Sequence, residues 1–157
     1  MELFRIFIAA FSATNVMTTF SYLLSNNYGR LFKEPVLLNF VLDHLGLTPK
    51  GKLKKFAGWF AHYVIGFAFV LTYDLVWRHT DIEFGWLSGS VFGVVSGFIG
   101  ILGWRLIFLL PREKPDVHLN EYYIQLMVAH ILFALAVVIA FLLYEFDPIG
   151  KVNDAVN

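Results

Sequence analysis

The chain has 157 residues, of which 58% are apolar and only 15% are charged, and its formal net charge is zero. A soluble domain of this size could not bury so much apolar surface, because small folds bury a limited fraction of their area. The neutral balance excludes the basic field that nucleic-acid binding requires. The absence of cysteine excludes disulfides, thiolate metal sites and cysteine nucleophiles.

Four apolar stretches are long enough to cross a bilayer as helices, which takes about 20 residues each. They cover residues 3–24, 56–77, 84–110 and 122–146. The stretches are too long for β-barrel strands and lack the alternation of such strands. The sequence therefore predicts an all-α, four-transmembrane-helix bundle that forms a single domain over residues 1–157.

The long loop between the first two spans contains an amphipathic pattern. Pro35 is followed by apolar residues at helical spacing, namely Val36, Leu37, Phe40, Val41 and Leu45. Proline is favoured in the first turn of a helix, so a short helix is predicted here. We expect it to lie in the membrane interface, with a buried cap on the bundle as the alternative.

Positive charge is distributed unevenly between the two sides of the predicted bundle. The loop between the first and second spans carries six Lys or Arg residues. The loop between the third and fourth spans, with the adjoining helix end, carries three, whereas the other side has only Arg5, Arg78 and Lys151. Because an excess of Lys and Arg marks the cytoplasmic side, both termini are predicted to lie outside, in a bacterial inner membrane.

The third span carries glycines at four-residue spacing, at Gly85, Gly89, Gly93 and Gly97, and then Gly100. Small residues at this spacing let a neighbouring helix backbone approach closely. The main interpretation is packing within the bundle, with a dimer interface or a groove for a flat ligand or lipid tail as alternatives. Gly66 of the second span is also predicted to be a packing position.

Three ionisable side chains are predicted to share one depth in the membrane: His62, Arg105 and His130. At 1.5 Å per residue they would lie roughly 8–12 Å inside the cytoplasmic boundary. Small residues, Gly66 and Ala134, follow the two histidines by one turn and would leave space beside each imidazole. The three residues are therefore a candidate ligand-binding site.

Several chemistries remain open for these three residues. The histidines could form structural hydrogen bonds, ligate a b-type haem or a metal, or bind a polar ligand or relay protons. Arg105 could extend to the lipid headgroups or bind an anion.

Two further polar residues lie within the spans. Asn15 is expected to hydrogen-bond a neighbouring helix. Asp74 is expected to pair with Arg78 one turn away, with proton acceptance as the alternative. The sequence has no G-x-S-x-G, H-E-x-x-H or phosphate-binding loop motif, so catalysis is not expected.

Two segments and the glycine-rich third span resemble one family. The segments are Ala13-Thr14-Asn15-Val16-Met17-Thr18 and Gly58-Trp59-Phe60-Ala61-His62-Tyr63-Val64-Ile65-Gly66. Together they resemble the YagU-like families of uncharacterised four-helix bacterial inner-membrane proteins. The resemblance implies a four-helix fold and an inner-membrane location, and it emphasises His62 and Gly66. It implies no activity.

These observations favour a non-catalytic membrane subunit or accessory factor with a lipid or small-ligand site near its cytoplasmic face. The expected partners are the lipid bilayer and either other membrane proteins or a second copy of the chain. One alternative is a small haem- or metal-binding membrane protein that uses His62 and His130. Another is a dimeric transporter of small solutes or a proton-coupled carrier.

Overall fold

The computed structural model describes residues 2–111, 115 and 117–145, and within them the chain is helical apart from short connections. The α-helices are α1 (Glu2–Tyr28), α2 (Glu34–His44), α3 (Ala57–His79), α4 (Trp86–Ile107) and α5 (Leu119–Glu145). A short 3-10 helix, Gly51–Phe56, leads into α3.

Four of these helices are long and apolar enough to cross a membrane: Leu3–Tyr28, Leu53–His79, Trp86–Ile107 and Leu119–Leu143. They confirm the predicted all-α, four-transmembrane-helix bundle. The third membrane span is α4, which ends at Ile107 and not at the predicted residue 110. Turns follow it up to Pro111, a residue that cannot continue a helix. The predicted end of the fourth span at residue 146 lies outside the described residues, as do the charges of Arg112, Lys114 and Lys151.

Glycines with left-handed backbone conformation follow the first two helices. Gly29 has φ 61° directly after α1, and Gly46 has φ 70° just beyond α2. At the second position the amide of Leu47 donates to the carbonyl of Leu42, which satisfies an end carbonyl of α2. The turn at Gly29 precedes α2, and the turn at Gly46 leads from α2 towards α3.

The predicted short helix in the first loop is present as α2, and it packs against the start of α3. Its buried face consists of Leu37, Leu38 and Val41, together with Glu34 and Pro35 in its first turn. Gly58 of α3 lies directly against the backbone carbonyl of Pro35. Because any side chain at residue 58 would collide with that carbonyl, the glycine allows α2 to cover this end of the bundle.

The long helices pack in the order α4, α5, α1, α3, so that α5 lies between α1 and α4. Helices α3 and α4 are connected through side chains at the end remote from α2. There Tyr73 Oη donates to Ser96 Oγ at 2.7 Å, and Trp77 Nε1 donates to Ser88 Oγ at 3.0 Å. Close backbone packing between α3 and α4 is absent from the described part of the chain, which leaves space between them nearer to α2.

The glycines of α4 form its packing surface against α5. A Cβ at Gly89 would lie 2.5 Å from Val138, one at Gly93 would lie 2.7 Å from the Cα of Ile131, and one at Gly97 would lie 2.5 Å from Met127. These three glycines therefore allow the backbones of the two helices to approach closely. Gly85 does not belong to this surface, because it is the N-cap residue of α4 and no atom lies within 4 Å of its Cβ position.

Candidate ligand cavity

A cavity of about 190 Å³ lies between α3 and α4, on the side of the bundle that α2 covers. Residues of α1 and α5 form its floor, and Glu34 and Leu38 of α2 close one end. Ile65 of α3 and Ile99 of α4 line the cavity, yet they are 43% and 53% exposed. The cavity therefore reaches the outer surface of the bundle between these two apolar side chains.

His62 and His130, which the sequence placed at one depth, both line this cavity. They are 7% and 6% exposed, so both imidazoles are enclosed by the bundle. His62 projects from α3 and His130 from α5, and the edge of the Phe69 ring packs against His130 with their centroids 5.7 Å apart. Two of the three candidate ligand-binding residues thus belong to one site.

The hydrogen bonds of the two histidines define which ring nitrogen carries the proton. The Thr18 hydroxyl donates its hydrogen to the carbonyl of Thr14 at 2.7 Å, so its oxygen accepts from Nε2 of His62 at 3.1 Å. His130 donates from Nδ1 to the carbonyl of Leu126 at 2.9 Å. Each neutral imidazole therefore retains one acceptor nitrogen, Nδ1 in His62 and Nε2 in His130.

Glycines on the cavity wall have different neighbours. A Cβ at Gly100 would lie 2.8 Å from Cε1 of His130, so this glycine makes room for the imidazole. Gly66, expected to leave space beside His62, instead packs against the hydroxyl of Thr14 and the ring of Phe133. Gly103 lines the cavity and has no atom within 4 Å of its Cβ position, so the free volume lies beside Gly103.

Arg105 does not belong to the cavity. Its side chain is exposed, whereas the preceding residue, Trp104, is buried and lines the cavity. Successive residues on a helix point about 100° apart. Because Trp104 points into the bundle, Arg105 points away from the cavity. Arg105 therefore does not line the cavity with the two histidines, because a shared depth in the membrane gives no information on angular position.

Glu34 is the site residue that the sequence analysis missed. It is 1% exposed, and its Oε1 accepts hydrogen bonds from Ser21 Oγ at 2.8 Å and Gln125 Nε2 at 3.1 Å. Its Oε2 is buried and has no hydrogen-bond partner among the described residues. Burial raises the pKa of Glu34 to about 7, because a low-dielectric environment disfavours the charged carboxylate.

The sequence contains one signal that could have revealed Glu34. It precedes Leu37, Leu38 and Val41 by three, four and seven residues, which places it on the apolar face of the predicted helix. A carboxyl group on that face would be buried wherever the helix packs on the bundle. Gln125 of α5 is buried beside it and donates to Ser21 Oγ at 2.6 Å as well as to Glu34.

The two further polar residues considered in the sequence, Asn15 and Asp74, do not line the cavity and connect helices. Asn15 accepts a hydrogen bond from Tyr63 Oη at 3.1 Å, which joins α1 to α3. Asp74 pairs with Arg78 at 2.7 Å, as expected, and also with Arg5 of α1 at 2.9 Å. The pair with Arg5 could not be foreseen, because it depends on the pairing of α1 with α3.

Within the described residues, no group of three or more His, Cys, Asp or Glu side chains is arranged to hold a metal ion. The chain matches no protein-family model, no curated protein and no solved structure. The resemblance to the YagU-like families therefore stays a prediction, and the site has to be interpreted from its own geometry.

Proposed function

We propose that this protein is a non-catalytic membrane subunit or accessory factor that binds a small, lipid-soluble molecule in the cavity between α3 and α4. The observation that carries the proposal is one cavity with two enclosed imidazoles, His62 and His130, each held in a defined tautomer by a neighbouring oxygen. Apolar pockets with a few oriented polar groups are the usual form of small-molecule sites.

The position and size of the cavity support a ligand that comes from the bilayer. The exposed apolar side chains of Ile65 and Ile99 border it, and a lipid-soluble molecule would pass between them without crossing a polar surface. Its volume of about 190 Å³ is below the roughly 300–1,000 Å³ typical of sites for drug-sized ligands. A single ring or a short chain fits such a volume.

The experiment is native mass spectrometry of the protein extracted gently from its own membrane, compared with Gly103→Leu. The added side chain would enter the cavity, because Gly103 lines it and no atom lies within 4 Å of the Cβ position. Ala68→Leu introduces the same side chain at an exposed position of α3 and is the matched control. We expect a small-molecule mass on the wild-type chain and on the control that is lost from Gly103→Leu.

Other outcomes would favour the alternatives. A retained haem mass with a visible absorption band that disappears in His62→Ala would favour the small b-type cytochrome. Co-purifying proteins without any small molecule would favour an assembly role that does not use the cavity. Movement of a solute or protons by purified protein in liposomes would favour the carrier.

We further propose that the protein lies in a bacterial inner membrane with both termini outside, so that the cavity is on the cytoplasmic half. Six Lys or Arg residues between α1 and α3 support this orientation. The chain contains no cysteine, so Asp81→Cys and Lys50→Cys each carry one thiol. A membrane-impermeant maleimide should label Asp81→Cys in intact cells and Lys50→Cys only after lysis, and the reverse pattern would overturn the orientation.

A further inference from the structure

Most polar groups of the cavity are hydrogen-bond acceptors; the exception is the hydroxyl of Thr14, which can also donate and has no partner among the described residues. His62 and His130 each use their N–H on a neighbouring oxygen and retain an unprotonated nitrogen. Glu34 adds a carboxylate whose Oε2 has no partner within the described part of the chain. No Lys or Arg side chain of the described residues lines the cavity. An anionic ligand would therefore meet no Lys or Arg of the described residues there and would be repelled by the carboxylate of Glu34.

Glu34 has an unusual position for a carboxyl group in a membrane protein. It is 1% exposed, and the structure pairs it with no Lys or Arg among the described residues. Burial of an unpaired carboxylate is costly, and such a group is either protonated or paired with a cation. A cation brought by the ligand would supply the missing charge partner and would donate a hydrogen bond to Oε2.

The aromatic lining fits a cation with an apolar body. Phe69, Trp104 and Phe133 surround the cavity together with the two imidazoles. Aromatic faces attract cations, and the attraction is stronger in desolvated sites. The same rings provide an apolar surface for a ring or chain attached to the charged group.

We propose that the ligand of this cavity is a lipophilic cation, a protonated amine attached to an aromatic ring or a short apolar chain, with Glu34 as its counter-ion. The inference rests on the proposed binding function and specifies its ligand class. The N–H groups of the ammonium bind the carboxylate and the acceptor nitrogens, while the apolar part lies against Phe69 and Phe133. The ligand enters from the bilayer between Ile65 and Ile99.

The test is calorimetric titration of the protein in lipid nanodiscs with three probes of similar shape: phenethylamine, phenethyl alcohol and phenylacetate. The pH is set above the pKa of Glu34 and below that of the amine, so that both are charged. We expect the amine to bind at least about tenfold more tightly than the alcohol, since a hydrogen bond to a charged group contributes about 1.5–3 kcal/mol. Phenylacetate should not bind.

Two variants separate the inference from the proposed function. In Glu34→Gln the side-chain oxygen still accepts from Ser21 and Gln125, so the amine should lose its advantage while the alcohol binds as before. Gly103→Leu should abolish binding of both. Equal affinity of amine and alcohol in the wild-type chain, or an amine preference retained in Glu34→Gln, would overturn the inference and leave the binding function intact. Absence of binding by all probes, or binding unchanged by Gly103→Leu, would overturn both.

Discussion

The buried carboxyl of Glu34 makes a quantitative prediction about stability. Its pKa is raised from 4.5 to about 7 in the folded protein by burial. In the unfolded chain the first loop is in water, and the carboxyl has its ordinary pKa. Between these two values the folded state binds more protons than the unfolded state, so the free energy of unfolding falls as pH rises.

The size of the effect follows from the two pKa values. A rise from 4.5 to about 7 corresponds to about 3 kcal/mol of differential interaction. The corresponding contribution to the free energy of unfolding is fully present below pH 4.5 and is lost as pH rises through about 7. Glu34→Gln removes the titrating group, because glutamine has the same shape and no charge, while Ser21 and Gln125 can still donate to its oxygen.

The assay is reversible unfolding of the ligand-free protein in mild detergent by added dodecyl sulfate, followed by circular dichroism over a series of pH values. We expect the stability of the wild-type chain relative to Glu34→Gln to fall by about 3 kcal/mol from below pH 4.5 to above pH 7. Taking this difference removes the pH dependence that the two chains share. A difference that is constant over the pH range would refute the reasoning.

A matched control is available in Glu121→Gln. Glu121 is half exposed and pairs with Arg30 at 3.2 Å, so it is a carboxylate outside the buried site. Surface ion pairs contribute about 0–1 kcal/mol, and this substitution should leave the pH dependence of the wild-type chain in place. Loss of the dependence in this control would assign it to carboxylates in general and not to the buried Glu34.

Three further predictions use the same unfolding assay. Gly93→Ala should cost about 1–3 kcal/mol, because its Cβ would lie 2.7 Å from the Cα of Ile131, whereas Gly103→Ala, with no atom within 4 Å, should be tolerated; equal costs would contradict the packing account. Asp74→Asn should destabilise more than Arg78→Gln, because Asp74 also pairs with the largely buried Arg5, and the opposite order would contradict that ranking. Tyr73→Phe removes the hydrogen bond to Ser96 Oγ at 2.7 Å and should cost about 1 kcal/mol; an unchanged stability would show that this bond does not hold α3 to α4.

The four spans and the short helix could be predicted because their signals are local. Hydropathy over about 20 residues depends on the segment alone, and the first-turn proline with its apolar spacing is contained within α2. The shared depth of His62 and His130 could be inferred too, since depth follows from counting residues along a helix. Angular position could not, and for this reason Arg105, whose side chain is exposed, was grouped with two buried histidines.

Which helices lie side by side could not be predicted from the sequence either, because it also depends on angular position. The contact between Asp74 and Arg5 requires α1 to lie beside α3, and the free space between α3 and α4 requires α5 to lie between α1 and α4. Neither arrangement is evident from one sequence, because Asp74 also has a partner within its own helix, Arg78, and most other contacts between these helices are made by small or apolar residues. Gly89 and Gly100 belong to one stripe in the sequence, yet one packs against α5 and the other borders the cavity.

The stability of the folded protein does not explain why a carboxyl group, Glu34, stands where α2 closes the cavity. An apolar residue at this position would pack α2 onto the bundle without leaving Oε2 unpartnered, and replacing a buried charge by an apolar group is often neutral or stabilising. The carboxyl therefore opposes the folding of α2, and Gly58, by allowing close contact with Pro35, contributes to holding it in place. A cation in the cavity would reverse the sign of that effect, because it would favour both the charged carboxylate and the docked α2. Ligand binding and the docking of α2 are thus expected to stabilise one another, since each lowers the free energy of the state that the other requires.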